Sequence, residues 1–143
     1  MSDLVLPDPM PPFGSYVPST RAGDLLFTAG HFAVEDGAAV TGKLGIDLDA
    51  ERGYEVARLA ALSLLATVQE ALGDLDRVRQ VVRVHGVVNA AADFTGHTRV
   101  IDGASDLLVQ VFGDRGHHAR LAVGVASLPA DLTLEIEAVL HVR

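Results

Sequence analysis

The sequence contains no cysteine and no tryptophan, and Lys43 is the only lysine among its 11 basic residues. Without cysteine the chain can form no disulfide, thiolate metal site, iron–sulfur cluster or cysteine nucleophile. Nothing in this composition requires an oxidising compartment, so we expect a cytoplasmic protein. No apolar run approaches the roughly 20 residues that a membrane span needs, and residues 1–12 lack the basic and apolar regions of a signal peptide. We therefore expect no membrane partner.

Positive charge is also scarce, since 19 acidic residues outweigh the 11 basic ones and leave a net charge of −8. An acidic surface repels phosphate backbones, and an aromatic content of 5% leaves few platforms on which bases could stack. This balance argues against nucleic acid as a partner.

The length of 143 residues, 49% of them hydrophobic, predicts one globular domain over residues 1–143. Residues 1–14 hold four prolines and predict an extended N-terminal arm.

Hydrophobic periodicity divides the remaining chain into two helices and five strands. Asp47 or Asp49 can cap a first helix that begins near Ala50, and Gly73 can end it after Leu72. A second helix fits residues 98–112. Alternating or valine-rich segments predict strands at 25–29, 38–42, 78–88, 118–127 and 133–142.

This order of elements predicts an α+β, ferredoxin-like mixed sheet with two helices packed on one face. We expect the turn at residues 128–131 to join the last two strands as neighbours. In the strand at 118–127, Leu121 and Val123 alternate with Arg120, Ala122 and Gly124. We expect the large residues to meet the helices and the small ones to form a flat outer face. Such a face would let a second subunit approach closely, which favours a homo-oligomer over a solvated sheet face.

Arg120 stands out among the charged residues because it lies on a predicted strand between small and apolar neighbours. A guanidinium held by a rigid backbone presents a planar fork that suits a carboxylate. Glu135 and Glu137 are expected on the same sheet face in the adjacent strand, so an internal salt bridge is an equally good explanation of Arg120. The six histidines show no spacing typical of a metal site, and we expect no metal.

The C-terminal block carries a family resemblance. His118-Ala-Arg120 begins a valine-rich strand that ends at Leu128-Pro129, and Leu134-Glu-Ile-Glu-Ala138 follows. Together with Gly14-Ser-Tyr16 and Leu26-Phe-Thr-Ala-Gly30, this block resembles the RidA/YjgF family of reactive enamine and imine deaminases. The resemblance covers nearly the whole chain. It implies a chorismate-mutase-like α+β fold and a homotrimer with active sites in clefts between subunits.

The resemblance also implies hydrolysis of 2-imino acids to 2-oxo acids and ammonia, with no metal or cofactor. Arg120 would bind the substrate carboxylate, and Glu135 would position water and transfer protons. Tyr16, Gly30, His31, Asp102 and Ala122 are the residues that would line the cleft. Ala122 stands where the deaminases often have cysteine, His31 where glutamine is frequent, and Asp102 is the nearest counterpart of a cleft asparagine.

Two other functions stay open at this stage. A non-catalytic trimer could use Arg120 to hold small carboxylate metabolites. Endoribonuclease activity, attached to some members of the family, is disfavoured by the acidic surface and by the absence of paired catalytic histidines. For both the deaminase and the non-catalytic binding protein, the expected partner is a small molecule with a carboxylate.

Overall fold

The structure, a computed structural model, describes residues 4–143. Its longest element is helix α1, Ala50–Leu72. The Asp49 side chain accepts a hydrogen bond from the backbone N–H of Arg52 at the first turn, and Gly73 ends the helix with a φ of 86°. The predicted bounds of this helix are confirmed, because both end signals are local to the sequence.

The second helix, α2, spans His97–Phe112 and packs along α1 on the same side of the sheet. The two backbones approach so closely at Gly103 that a Cβ there would lie 2.0 Å from the carbonyl oxygen of Tyr54. Only glycine fits this crossing without moving one helix. The prediction of two helices on one sheet face is confirmed.

The strands are β1 Ser19–Ala22, β2 Leu25–Thr28, β3 Val34–Glu35, β4 Ala38–Ala39, β5 Val78–Asn89, β6 Ala119–Val125 and β7 Leu134–Val142. Five of them form the main sheet, in the spatial order β1-β2-β7-β5-β6. The strands predicted from the sequence did not include β1, which pairs antiparallel with β2 at the sheet edge. The predicted strand at 38–42 is reduced to the two-residue β4, which pairs with β3 in a separate small sheet.

The expected pairing of the last two strands is wrong. Strand β5 lies between them, parallel to β6 and antiparallel to β7. The chain leaves β6 through a single 3₁₀ turn at Pro129–Asp131 and enters β7, which also pairs with β2. The twelve-residue β5 can pair along both of its edges, and this non-local pairing prevails over the local turn signal.

The orientation of β6 is also opposite to the prediction. Arg120 bonds to side chains of α2, and a Cβ on Gly124 would meet His97 of that helix. Leu121 points to the opposite face and is 44% exposed. Helix α2 thus uses the small residues of β6 for a close approach, while larger apolar side chains lie on the open face of the sheet.

The core lies between the open sheet and the helix pair. In β7 the alternate residues from Leu134 to Val142 are buried against the helices, as predicted, while Glu135 and Glu137 lie on the open face. Residues 4–18 contain no helix or strand, and Phe13 in this segment stacks on Phe32 with ring centroids 5.3 Å apart. Neither helix within residues 4–143 is long and apolar enough to cross a membrane.

Candidate functional site

The predicted carboxylate anchor, Arg120, lies in a group of polar side chains between β6 and α2. Its Nη1 donates to Asp102 Oδ1 at 2.8 Å and to Ser105 Oγ at 3.1 Å, and its Nη2 donates to the backbone carbonyl of Thr98 at 3.3 Å. His118 completes the group through a 2.8 Å contact between its Nε2 and Ser105 Oγ. We call Asp102, Ser105, His118 and Arg120 the arginine cluster.

The internal salt bridge considered for Arg120 exists, but its partner is Asp102 and not a glutamate of β7. Asp102 was itself a predicted cleft residue, and the structure places it in direct contact with the anchor. The side chain of Arg120 is 18% exposed, so the guanidinium is held in place while part of it faces solvent. A ligand reaching it would meet an arginine whose charge is partly balanced by a neighbouring carboxylate.

A second group lies at the junction of the N-terminal arm and the open face of the sheet. A Cβ on Gly30 would lie 3.5 Å from both Cδ and Oε2 of Glu135, so the glycine leaves that carboxylate uncovered. Tyr16 and Gly30 line the same small cavity, and the Tyr16 hydroxyl accepts a hydrogen bond from the backbone N–H of Phe13 at 3.1 Å. We call Tyr16, Gly30 and Glu135 the carboxylate cluster.

Partial burial raises the pKa of the Glu135 carboxyl above its ordinary value, and the negative charge of Glu137 raises it further. Both effects disfavour the ionised form. A carboxyl with a raised pKa can exchange protons nearer to neutral pH, which is the property that a general acid or base needs. A raised pKa suits proton transfer, and the role of Glu135 in such transfer stays a prediction.

His31, predicted as a cleft residue, is buried and lines the same small cavity as Tyr16 and Gly30. Its Nδ1 lies 2.7 Å from the carbonyl oxygen of Ala29, and its Nε2 lies 2.7 Å from Thr67 Oγ1. Because a carbonyl can only accept, Nδ1 carries the proton and Nε2 accepts from the threonine hydroxyl. Burial lowers the pKa of this imidazole. His31 thus fixes the backbone around Gly30 with both ring nitrogens engaged.

The structure brings the predicted residues together as two groups and not as one site. Arg120 and Ala122 face helix α2, whereas Glu135 faces the open side of the sheet. The expectation that Arg120 and Glu135 share a sheet face on adjacent strands is wrong, because β5 separates their strands and the two residues fall on opposite pleats. Within one chain the arginine and carboxylate clusters cannot act on the same small molecule.

Sequence reasoning missed the roles of Ser105 and His118 in the arginine cluster. Asp102 and Ser105 are three residues apart on α2, a spacing that places both on one helix face. That spacing was a usable signal, but the orientation of the face toward β6 depends on how α2 packs. His118 lies two residues before Arg120, just ahead of β6, and a histidine there has no sequence pattern that would reveal its contact with Ser105.

Sequence reasoning also missed a cleft of about 910 Å³ at the other end of β6, whose lining includes Lys43, Phe94, His97 and Gly124. Lys43 Nζ donates to Asn89 Oδ1 at 2.7 Å and to the carbonyl of Ala126 at 2.6 Å. Its ammonium is engaged in holding two chain segments together. Because the Lys43 ammonium already has these partners, the cleft offers a ligand less free positive charge than its lining residues suggest.

Comparison with known proteins supports the same architecture over nearly the whole chain. A family model described as "YjgF/chorismate_mutase-like, putative endoribonuclease" matches residues 1–136. Protein TCP17 of Trypanosoma cruzi is 41% identical over 142 residues, which cover 98% of this chain and 89% of that protein. A solved protein of unknown function from Agrobacterium tumefaciens has 40% identity and a TM-score of 0.92, with 99% of this chain and 88% of that one covered. A solved structure from Shewanella oneidensis, described as "a putative endoribonuclease", has 32% identity and a TM-score of 0.95, with 99% and 94% covered.

Proposed function

This chain belongs to the YjgF/chorismate mutase-like family, and from that premise we propose that it hydrolyses small 2-imino acids to 2-oxo acids and ammonia. The observation that carries the proposal is the way Arg120 is held. Three hydrogen bonds to α2 fix its guanidinium and leave one edge of the fork without a partner among residues 4–143.

That edge has the chemistry of a carboxylate receptor. A guanidinium has five N–H groups, and the bonds to Asp102, Ser105 and Thr98 use both on Nη1 and one on Nη2. The Nε–H and one Nη2 N–H have no partner among residues 4–143, and the Nε–Nη2 edge of a guanidinium can donate in parallel to the two oxygens of a carboxylate. Because Asp102 already balances the charge, recognition would depend on this bidentate geometry more than on net attraction.

Glu135 supplies the proton transfers that imine hydrolysis requires. A water molecule adds to the imine carbon as its proton passes to the Glu135 carboxylate, and Glu135 then delivers that proton to the imine nitrogen. Glu135 next transfers the hydroxyl proton of the carbinolamine to its nitrogen, and the C–N bond breaks to give the 2-oxo acid and ammonia. Imines hydrolyse slowly in water without help, so orientation by Arg120 and one acid–base group are a sufficient apparatus. The raised pKa of Glu135 supports this role.

A complete site requires two subunits, since the two clusters lie on opposite sheet faces. We propose a homotrimer in which the arginine cluster of one subunit meets the carboxylate cluster of the next. The open face supports such an assembly because it carries exposed apolar side chains, among them Phe27 at 39% and Leu121 at 44% exposure. The contact would use these large side chains and not the small residues of β6 that the sequence suggested.

The test is a coupled assay in which an amino-acid oxidase generates imino acids and formation of the 2-oxo acid is followed. We expect wild type to accelerate hydrolysis, and Arg120→Ala and Glu135→Gln each to remove about a hundredfold or more of that acceleration. Arg21→Ala and Glu70→Gln, both at exposed positions, are the matched controls and should retain it. No acceleration by wild type with several imino acids would refute the proposal.

The same samples separate the alternative functions. A rise in melting temperature with a 2-oxo acid, without imine hydrolysis, would identify a non-catalytic carboxylate-binding trimer. Cleavage of RNA that is lost with Glu135→Gln would instead support the endoribonuclease description of the Shewanella relative. The net charge of −8 opposes RNA binding.

A further inference from the structure

Ser105 and His118 form a contact that the imine chemistry does not use. Ser105 Oγ lies 2.8 Å from Nε2 of His118, and Nδ1 of the same ring lies 2.7 Å from the backbone carbonyl of Gly116. The carbonyl can only accept, so Nδ1 carries the proton and Nε2 has the free lone pair. The serine hydroxyl therefore donates to the imidazole. A hydroxyl, a base and an acceptor that orients the base are the three parts of an activated serine nucleophile.

The surroundings favour this arrangement chemically. Burial lowers the pKa of the His118 imidazole, and the positive charges of Arg120 and His117 lower it further, which favours the neutral ring whose Nε2 can accept a proton. Arg120 Nη1 donates to Ser105 Oγ at 3.1 Å. A cationic donor at that distance stabilises the negative charge that develops on the serine oxygen as its proton leaves.

The pair also opens onto space for a small molecule. A cavity of about 390 Å³ is lined by Ser105, Asp106, Val109, His117, His118 and Arg120. Within residues 4–143 the Ser105 hydroxyl makes no hydrogen bond to a carbonyl of its own helix. A helical serine with a purely local role commonly makes such a bond. The Ser105 hydroxyl instead contacts the base His118 and the cation Arg120, and both residues line the cavity.

We propose that Ser105 and His118 form a nucleophile–base pair that hydrolyses short esters bearing a carboxylate. Ser105 Oγ forms a bond to the ester carbonyl carbon while its proton passes to His118 Nε2. The tetrahedral intermediate then breaks its bond to the leaving alcohol, which takes that proton from His118. Water gives a proton to the same nitrogen as it attacks the acyl-serine, and that proton passes to Ser105 Oγ as the acyl–oxygen bond breaks and the acid leaves. Arg120 would bind the free carboxylate of the substrate through the edge of its guanidinium that has no partner.

The first experiment uses a fluorophosphonate probe on the full-length protein, with the labelled residue identified by peptide mass spectrometry. We expect labelling at Ser105, its loss with Ser105→Ala, and a fall of about a hundredfold in rate with His118→Gln. Ser127→Ala and His141→Gln lie away from the cavity and should label as wild type. The rate should rise with pH as His118 loses its proton, while Asp106, His117 and Arg120 are the other ionisable groups on that cavity.

The second experiment tests the substrate class with two chromogenic esters. Mono(4-nitrophenyl) succinate carries a carboxylate and 4-nitrophenyl acetate does not, so we expect about tenfold faster turnover of the succinate ester, a preference that Arg120→Ala should remove. Absence of label at Ser105 in folded wild type, or equal labelling of wild type and His118→Gln, would overturn the proposal. Neither experiment involves an imine, so failure here and failure of the deaminase proposal are separate results.

Discussion

Replacing Gly30 with alanine distinguishes a glycine kept for function from one kept for folding. The added Cβ would lie 3.5 Å from Cδ and Oε2 of Glu135, which is an ordinary van der Waals contact. The backbone at Gly30 is not in the left-handed region, so alanine fits and restricts the unfolded chain. We expect the free energy of unfolding to stay level or to rise by about 0.5 kcal/mol. The methyl group would nevertheless cover the carboxylate, and we expect imine hydrolysis to fall about tenfold or more.

Gly103→Ala is the opposite case, in which the added methyl group should lower the free energy of unfolding. Its Cβ would lie 2.0 Å from the backbone oxygen of Tyr54, roughly 1.3 Å inside an ordinary C···O contact. Backbone cannot rotate away, so the helices must separate at a cost of about 3 kcal/mol, or about 10 °C in melting temperature. Circular dichroism during thermal and urea unfolding measures both variants. A loss above about 1 kcal/mol for Gly30→Ala would refute the contact geometry, and full activity in that variant would refute the role given to this surface.

Three further predictions concern charge and buried polar groups. Asp102→Asn keeps an oxygen acceptor for Arg120 but removes a negative charge, so a 2-oxo acid should bind several-fold more tightly by calorimetry; unchanged or weaker affinity would show that the Asp102 charge does not oppose carboxylate binding. His31 and His118 have lowered pKa values in the fold. Their stabilisation is present above about pH 6.5 and is lost as the pH falls toward their folded pKa values, so the melting temperature should drop between about pH 7 and pH 5, and less so in His31→Gln. The buried Thr133 Oγ1 has no hydrogen-bond partner within residues 4–143, so Thr133→Val should raise the free energy of unfolding by about 1 kcal/mol in urea titrations, and a loss would show that the hydroxyl is bonded.

The parts of the fold that the sequence predicted correctly are those with local causes. Helix α1 has a side-chain cap at Asp49 and a left-handed glycine at its end, and either signal can be read without knowing the partner elements. The pairing of β6 could not be read in this way. The turn before β7 resembles a hairpin connection, but the preference of β5 for two partners is a property of the whole sheet.

The arrangement of the candidate site could not be predicted from the sequence. Arg120 was singled out from its strand setting and Glu135 from the family resemblance, and each lies where solvent reaches it in part. Their placement on opposite faces depends on the face that β6 turns toward α2. Small residues there were interpreted as room for a subunit, whereas Ala122 and Gly124 make room for the helix. Small side chains indicate a close approach, and sequence alone does not identify which element approaches.

The proposed division of each site between two subunits predicts complementation between two inactive variants. If each site takes its arginine from one subunit and its glutamate from the next, then Arg120→Ala and Glu135→Gln damage different halves of every site. Two inactive variants, unfolded and reassembled together in equal amounts, would form mixed rings in which about a quarter of the junctions pair two intact halves. The mixed trimers would therefore be active, although each variant is inactive on its own. The same geometry would make two damaged alleles complement each other in one cell, whereas each allele alone would be null.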